Sequence, residues 1–346
     1  MIQNEIKKIQ KLLNKDGNIA EPGYAKSLLW EYSRDDIKAK KSRIKEWDYY
    51  YIGNDDCALC LTIADMGFVG ALSATTIDFT VPSQITKSAV CFFPMGKFNM
   101  PTTSVVGDCS RKIGKVEMTF INDGKTRRIY GVYPKFGNNK ETLSFDVTLT
   151  DAPQESMVIA TPFNKKGHFY YNQKINCMTA DGTFSLGDKE YSLSKDKNTL
   201  ATLDWGRGVW TYDNTWYWGS LQTVFPDGKK FGFNIGYGFG CNDKATENML
   251  FYKGMSHKLD EITFNIPVKD GKDDYMSDWT FTSNDGRFYM DFHPFIDRQA
   301  PLDLKVFAMI PHQVFGYFTG KAVLDDGSEI HLDKVLGFAE KVHNKW

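Results

Sequence analysis

The chain has 346 residues, 42% hydrophobic and 25% charged, with a formal net charge of -1. That length holds two domains or one large all-β unit, and the neutral balance excludes the basic surface of a nucleic-acid or anionic-membrane binder. Aromatic residues make up 14%, a high share of side chains that favour strands and line cavities.

The first segment, MIQNEIKKIQKLLNKDG, puts Ile2, Ile6, Ile9, Leu12 and Leu13 on one face of a helical pattern. It predicts an amphipathic N-terminal helix ending near Gly17. The segment lacks the apolar run and cleavage site of a signal peptide, and no stretch has the length of a membrane-crossing helix. A cytoplasmic protein with no transmembrane segment is expected, its six cysteines reduced. Cys57 and Cys60 form CALC at the start of a strand pattern, which turns the two thiols to opposite faces. Two strand cysteines are expected there, rather than a redox or zinc motif.

From Trp47 onward the pattern is short strands and tight turns. Asn54-Asp55-Asp56, Asn122-Asp123-Gly124, Pro226-Asp227-Gly228, Asn284-Asp285-Gly286 and Asp325-Asp326-Gly327 each separate two β-rich runs. Asp-Gly between such runs is a strong hairpin signal. About eighteen strands follow from the spacing, among them SAVCFF, HFYYNQKINCM and LKVFAMI. So many antiparallel strands need their edges closed, which favours barrels. The expected fold is all-β: two lipocalin-like antiparallel β-barrels packed together, with an N-terminal helix. The expected division is an arm at 1–45, a first barrel at 46–195 and a second at 196–346, with the seam in the polar stretch Leu193 to Thr202.

The region from Asp204 to Asn248 carries the candidate site. DWGRGVW sets Asp204, Arg207 and Trp210 around two glycines, and Arg207 either clamps a ligand oxygen or pairs with Asp204. In WYWGS, strand alternation points Trp216 and Trp218 one way and Tyr217 the other. In FGFNIGYGFG, Phe231, Phe233, Ile235, Tyr237 and Phe239 share one face, and Asn234 with the glycines the other. The glycine face leaves room for a ligand or a crossing strand. ATENMLFY adds Glu247 and Asn248. An acid beside an aromatic wall has its pKa raised and suits general acid catalysis. Asp204 and Glu247 are therefore the candidate catalytic acids. Arg207, Trp210, Trp216, Trp218, Asn234, Tyr237 and Asn248 are the candidate ligand-binding residues. In EWDYYYIG, Glu46, Asp48 and Tyr50 share one face, and Trp47, Tyr49 and Tyr51 the other. His293 and His312 sit in apolar runs without ligand spacing, and a core role is expected for each. No metal and no cofactor are expected.

The stretches LLNKDGNIAEPGYAKSLLWEYSRDDIKAKKSRIKEWDYY, DWGRGVW, WYWGS, FGFNIGYGFG and ATENMLFYKGMSHKL resemble the domain-of-unknown-function 2804 family. That family is distantly similar to the carotenoid hydratase and AttH-like group, which has two lipocalin-like barrels. The wider group includes hydratases and cyclases that protonate an isoprenoid double bond, with tocopherol cyclase a comparable case. The resemblance implies a cofactor-independent acid–base enzyme of hydratase, cyclase or isomerase type, acting on a hydrophobic, isoprenoid-like small molecule. Trp and Tyr faces would then hold a developing carbocation. Two other readings stand beside it: a carrier of a hydrophobic small molecule, and a carbohydrate-active enzyme. The oligomeric state is left open.

Overall fold

A computed structural model describes residues 3–299, 302–303 and 308–345. The described residues form an all-β structure of 27 strand segments and three short 3₁₀ turns.

The first sheet contains β1 (Ile44–Gly53), β2 (Cys57–Asp65), β3 (Val69–Asp78), β4 (Ser83–Phe92), β5 (Cys109–Ile113), β6 (Val116–Asn122), β7 (Arg127–Tyr133), β8 (Leu143–Thr150), β9 (Phe169–Leu186) and β10 (Leu200–Val209). Its order is β4-β3-β2-β1-β10-β9-β8-β7-β6-β5. The second contains β11 (Asp213–Val224), β12 (Lys230–Tyr237), β13 (Met249–Tyr252), β14 (Met255–Lys258), β15 (Ile262–Asn265), β16 (Trp279–Ser283), β17 (Phe288–Gln299), β18 (Ala308–Val323) and β19 (Glu329–Lys345). Its order is β14-β13-β12-β11-β19-β18-β17-β16-β15. In each sheet the first strand pairs with the last, so a simple meander curls back on itself as a barrel does. All five predicted turns join paired antiparallel strands. Of the expected strand LKVFAMI, residues 304–307 lie outside the described set, and the rest begins β18.

Each barrel has its own core. Ile52, Leu59, Leu61, Ile129, Phe145 and Val147 lie in the first. Phe231, Phe233, Trp279, Phe281, Met290 and Phe318 lie in the second. Two further buried clusters join the barrels, one around Tyr49, Tyr51, Cys60, Trp218, Phe315 and Phe338, the other around Tyr170, Cys177, Trp210 and Phe239. Cys57 and Cys109 belong to the first core instead.

Two expectations are corrected. There is no N-terminal helix among residues 3–25. Ile6, Leu12, Leu13 and Ile19 are buried while Ile9 is 70% exposed. The segment runs extended, with Gln10–Lys11 beside Trp30–Glu31 and Gly23–Ala25 against Met157–Pro162. Main-chain partners and docking outweigh the propensity of a short amphipathic run. The seam is not at 195/196 either. Leu200–Val209 is needed to close the first sheet between β1 and β9, so the sheets change at 210–212.

Candidate functional site

Alternation along β9 sends Tyr171 and Gln173 into the first barrel, and Tyr170, Asn172 and Lys174 toward the second. On β10 it sends Trp205 and Arg207 inward and Asp204 outward, while on β1 it sends Asp48 inward and Trp47 and Tyr49 outward. The second barrel answers with Trp216 and Trp218 from β11, Asn234 from β12, Gln313 from β18 and Glu340 from β19. The result is a polar cluster walled by aromatic rings, at the interface of the barrels.

Lys174 Nζ lies 2.8 Å from Asp204 Oδ2, and Asn172 Nδ2 donates to Asp204 Oδ1 at 2.6 Å. Asn234 accepts the Trp218 indole N–H at 2.6 Å and donates to the Glu247 main-chain carbonyl at 2.8 Å. Glu340 accepts from the Trp216 indole at 3.1 Å and from Gln313 Nε2 at 3.1 Å. Arg298 Nη1 donates to Gln313 Oε1 at 2.6 Å. Burial pushes the Glu340 carboxyl up to about 7, with Lys174 and Arg298 acting the other way. Burial also raises Glu247, despite the nearby Lys174. Three carboxyls thus face two cations in a site that excludes most water, and burial favours the protonated forms of Glu340 and Glu247.

The walls touch. Trp47 lies across Gly206, where a Cβ would come within 1.9 Å of the indole, so only glycine fits. Gly236 plays the same part for Glu247, whose Oε1 would be 2.9 Å from an added Cβ. Trp47 stacks on Tyr170 at 6.3 Å and meets Trp210 edge-on at 5.3 Å. Phe239 sits among Tyr170, Trp210 and Trp216 at 4.8, 4.9 and 5.1 Å. It was expected on the face of Phe233 and Ile235. The strand ends at Tyr237, and Gly238 and Gly240, both at positive φ, turn Phe239 to the interface. Trp47 and Trp216 keep partial exposure, which marks the outer side of the site.

Of the predicted residues, the fold brings together Asp204, Glu247, Trp210, Trp216, Trp218 and Asn234. It separates three. Arg207 is fully buried in the first barrel, where it pairs with Asp48 at 3.0 Å and donates to the Trp47 and Pro101 carbonyls. A spacing of three puts Arg207 and Asp204 on opposite faces of β10, so they do not pair. Tyr237 stacks on Tyr217 at 4.5 Å against the second core. Asn248 accepts the Gly236 N–H and donates to the Asp260 carbonyl, a clamp between β12 and the loop at Asp260. Lys174, Glu340, Asn172, Gln313 and Arg298 were not foreseen.

His312 lies elsewhere, stacked on Tyr275 at 3.9 Å with Nδ1 2.8 Å from Asp297. It lines an open depression of about 620 Å³ with Asp273 and Tyr275. His293 is a surface residue, not a core one, because its side chain is 74% exposed and bonded to Asp278. A smaller cavity of about 90 Å³ spans both barrels beside Tyr51, Asn54, Gln222 and Phe338. Neither space reaches Asp204, Glu247 or Glu340. Among the described residues no group of three His, Cys, Asp or Glu could hold a metal, and no helix is long and apolar enough to cross a membrane.

The family model DUF2804, a domain of unknown function, matches residues 3–346. The chain belongs to the DUF2804 family. No curated protein matches its sequence. Solved structures do share the fold of this DUF2804 chain. Kievitone hydratase from Nectria haematococca aligns with a TM-score of 0.55 at 11% identity, over 97% of this chain and 98% of that one. A protein provisionally called AttH from Nitrosomonas europaea gives 0.52 at 10% identity, over 90% and 96%. CghA gives 0.51 at 10% identity, over 99% and 97%. The DUF2804 chain thus has the lipocalin-like double-barrel architecture of these proteins.

Proposed function

We propose that this DUF2804 chain is a cofactor-independent acid–base enzyme, of hydratase, cyclase or isomerase type, acting on a hydrophobic small molecule at the barrel interface. The observation that carries the reading is Glu340. Burial beside the Trp216 indole pushes its carboxyl up to about 7, which matches a general acid to neutral pH. Glu247 is a second buried acid, and the Asp204 carboxylate, held by Lys174 and Asn172, is the base. The aromatic walls suit an apolar, isoprenoid-like substrate. That a protein of this fold is named kievitone hydratase supports the reaction class. A cytoplasmic setting is part of the proposal, since the six thiols are all unpaired.

The test is carbon-bound hydrogen exchange. The chain is incubated in D₂O with a panel of apolar unsaturated compounds, and deuterium at carbon is read by mass spectrometry. Exchange that falls about 10²- to 10⁴-fold in Glu340→Gln supports the acid role. Binding without exchange in every case favours the carrier instead.

A further inference from the structure

The face of Trp218 is already occupied by a cation. Lys174 Nζ sits 4.0 Å from the Trp218 ring centroid while bound to Asp204. Its side chain is 4% exposed, and the strands of the first sheet hold it in place. Arg298 approaches the far side of the cluster through Gln313. When Glu247 and Glu340 hold their protons, the fixed charges left are Lys174 and Arg298 against Asp204. A carbocation would meet net repulsion at short range, where water screens little. An oxygen gaining negative charge would meet attraction from donors already in position.

A second observation points the same way. The Tyr49 hydroxyl is buried at the interface, facing Cys60 and the Gln313 amide. Its ring packs edge-on to Trp218 at 5.9 Å. A buried hydroxyl beside Trp218 is a further donor that a ligand oxygen could use.

We infer that the interface site is arranged for a developing oxyanion, and that its substrate is an apolar carbonyl compound, an enone or enol, rather than an isolated alkene. This rests on the acid–base reading and replaces the carbocation expected from the resemblance. In the step it implies, the Asp204 carboxylate takes a proton from the carbon next to the carbonyl. The C–H electron pair becomes a C=C bond, and the carbonyl π pair moves to oxygen beside the Lys174 ammonium. A proton from the Glu247 or Glu340 carboxyl then goes to carbon at the far end of the conjugated system. The oxygen pair re-forms the C=O bond, the C=C pairs shift, and the last of them makes the new C–H bond. Asp204 passes its proton to the emptied carboxylate. Nothing is oxidised or reduced.

The experiment compares two probes of similar size on the wild-type chain, 4-nitrophenol and phenyltrimethylammonium. Equilibrium dialysis gives their affinities, and absorbance gives the ionisation of bound 4-nitrophenol. The expected result is at least about tenfold tighter binding of 4-nitrophenol. Its phenolate-to-phenol ratio should exceed that of the free dye at the same pH by about tenfold. Tighter binding of the ammonium, or unchanged ionisation, overturns the inference and leaves the acid–base reading standing. Silence from both probes removes the site and both readings with it. The paired variant Lys174→Met with Asp204→Asn keeps the net charge and should abolish the preference. If it folds and the preference persists, the inference is wrong. The wild-type comparison decides the sign even if the variant does not fold.

Discussion

Two polar clusters among the described residues, one inside the first barrel and one between the barrels, are built differently. Inside the first barrel, Asp48 and Glu46 each have a cation. Arg207 is paired with Asp48, and Arg34 with Glu46, which also accepts from Tyr32 at 2.7 Å. Arg127 donates to the Ser104 carbonyl at 2.6 Å. Between the barrels acids outnumber cations, and Glu340 and Glu247 are shifted toward their protonated forms. Matched charges hold a strand arrangement in place. Unmatched acids cost stability and supply chemistry, which is the usual mark of a functional site. The strand Leu200–Val209 serves both clusters, Arg207 on one face and Asp204 on the other.

The contrast can be broken most directly at Arg207. Arg207→Met leaves Asp48 buried and unpaired, and should cost about 3–5 kcal/mol in urea unfolding. A loss below about 1 kcal/mol would show that the first-barrel pair is not structural.

A smaller effect is expected at Glu340, and it depends on pH. The folded carboxyl titrates at about 7 against an ordinary 4.5, so the folded chain keeps a proton that the unfolded chain has released. The contribution is whole below about pH 4.5 and is lost as pH rises through about 7. Its full size is about 3 kcal/mol at about 1.4 kcal/mol per unit. Glu340→Gln should flatten the fall in stability across that window, relative to wild type. Lys45 and Lys258, lowered to about 7 by burial, bend the curve upward only above pH 7, so they do not mask it. An unchanged slope in the variant would place the shifted acid elsewhere.

The smallest effect belongs to Tyr237→Phe. The ring lies against the second core, so the change should cost under about 1 kcal/mol and leave 4-nitrophenol binding unaltered. Weaker binding would extend the site into the second barrel.

The sequence conveyed the strands and hairpins well, because alternation and Asp-Gly turns are local. It conveyed much less of which strands meet. Asp204 and Arg207 look like partners in DWGRGVW, yet a three-residue spacing on a strand turns them apart. Lys174 in YYNQKINCM and Glu340 in LGFAEKVHN are charges inside apolar runs, a signal that could have been used. That they come near each other depends on the packing of β9 against β11, the strand that β19 borders, which no local pattern encodes. The N-terminal segment failed for a related reason. Its leucines and isoleucines are compatible with a helix, but the partner strands at 30–31 and 157–162 decide its form.

The cysteines give the two-barrel arrangement a chemical clock. Cys91 and Cys241 are partly exposed, Cys60 and Cys177 are buried between the barrels, and Cys57 and Cys109 are buried in the first core. A thiol reagent therefore reads three depths in one molecule. The outer pair reacts with the folded chain, the middle pair waits for the barrels to part, and the inner pair waits for the first barrel to open. Separation of the barrels and loss of their folds become distinguishable as successive rates, with no probe added to the chain.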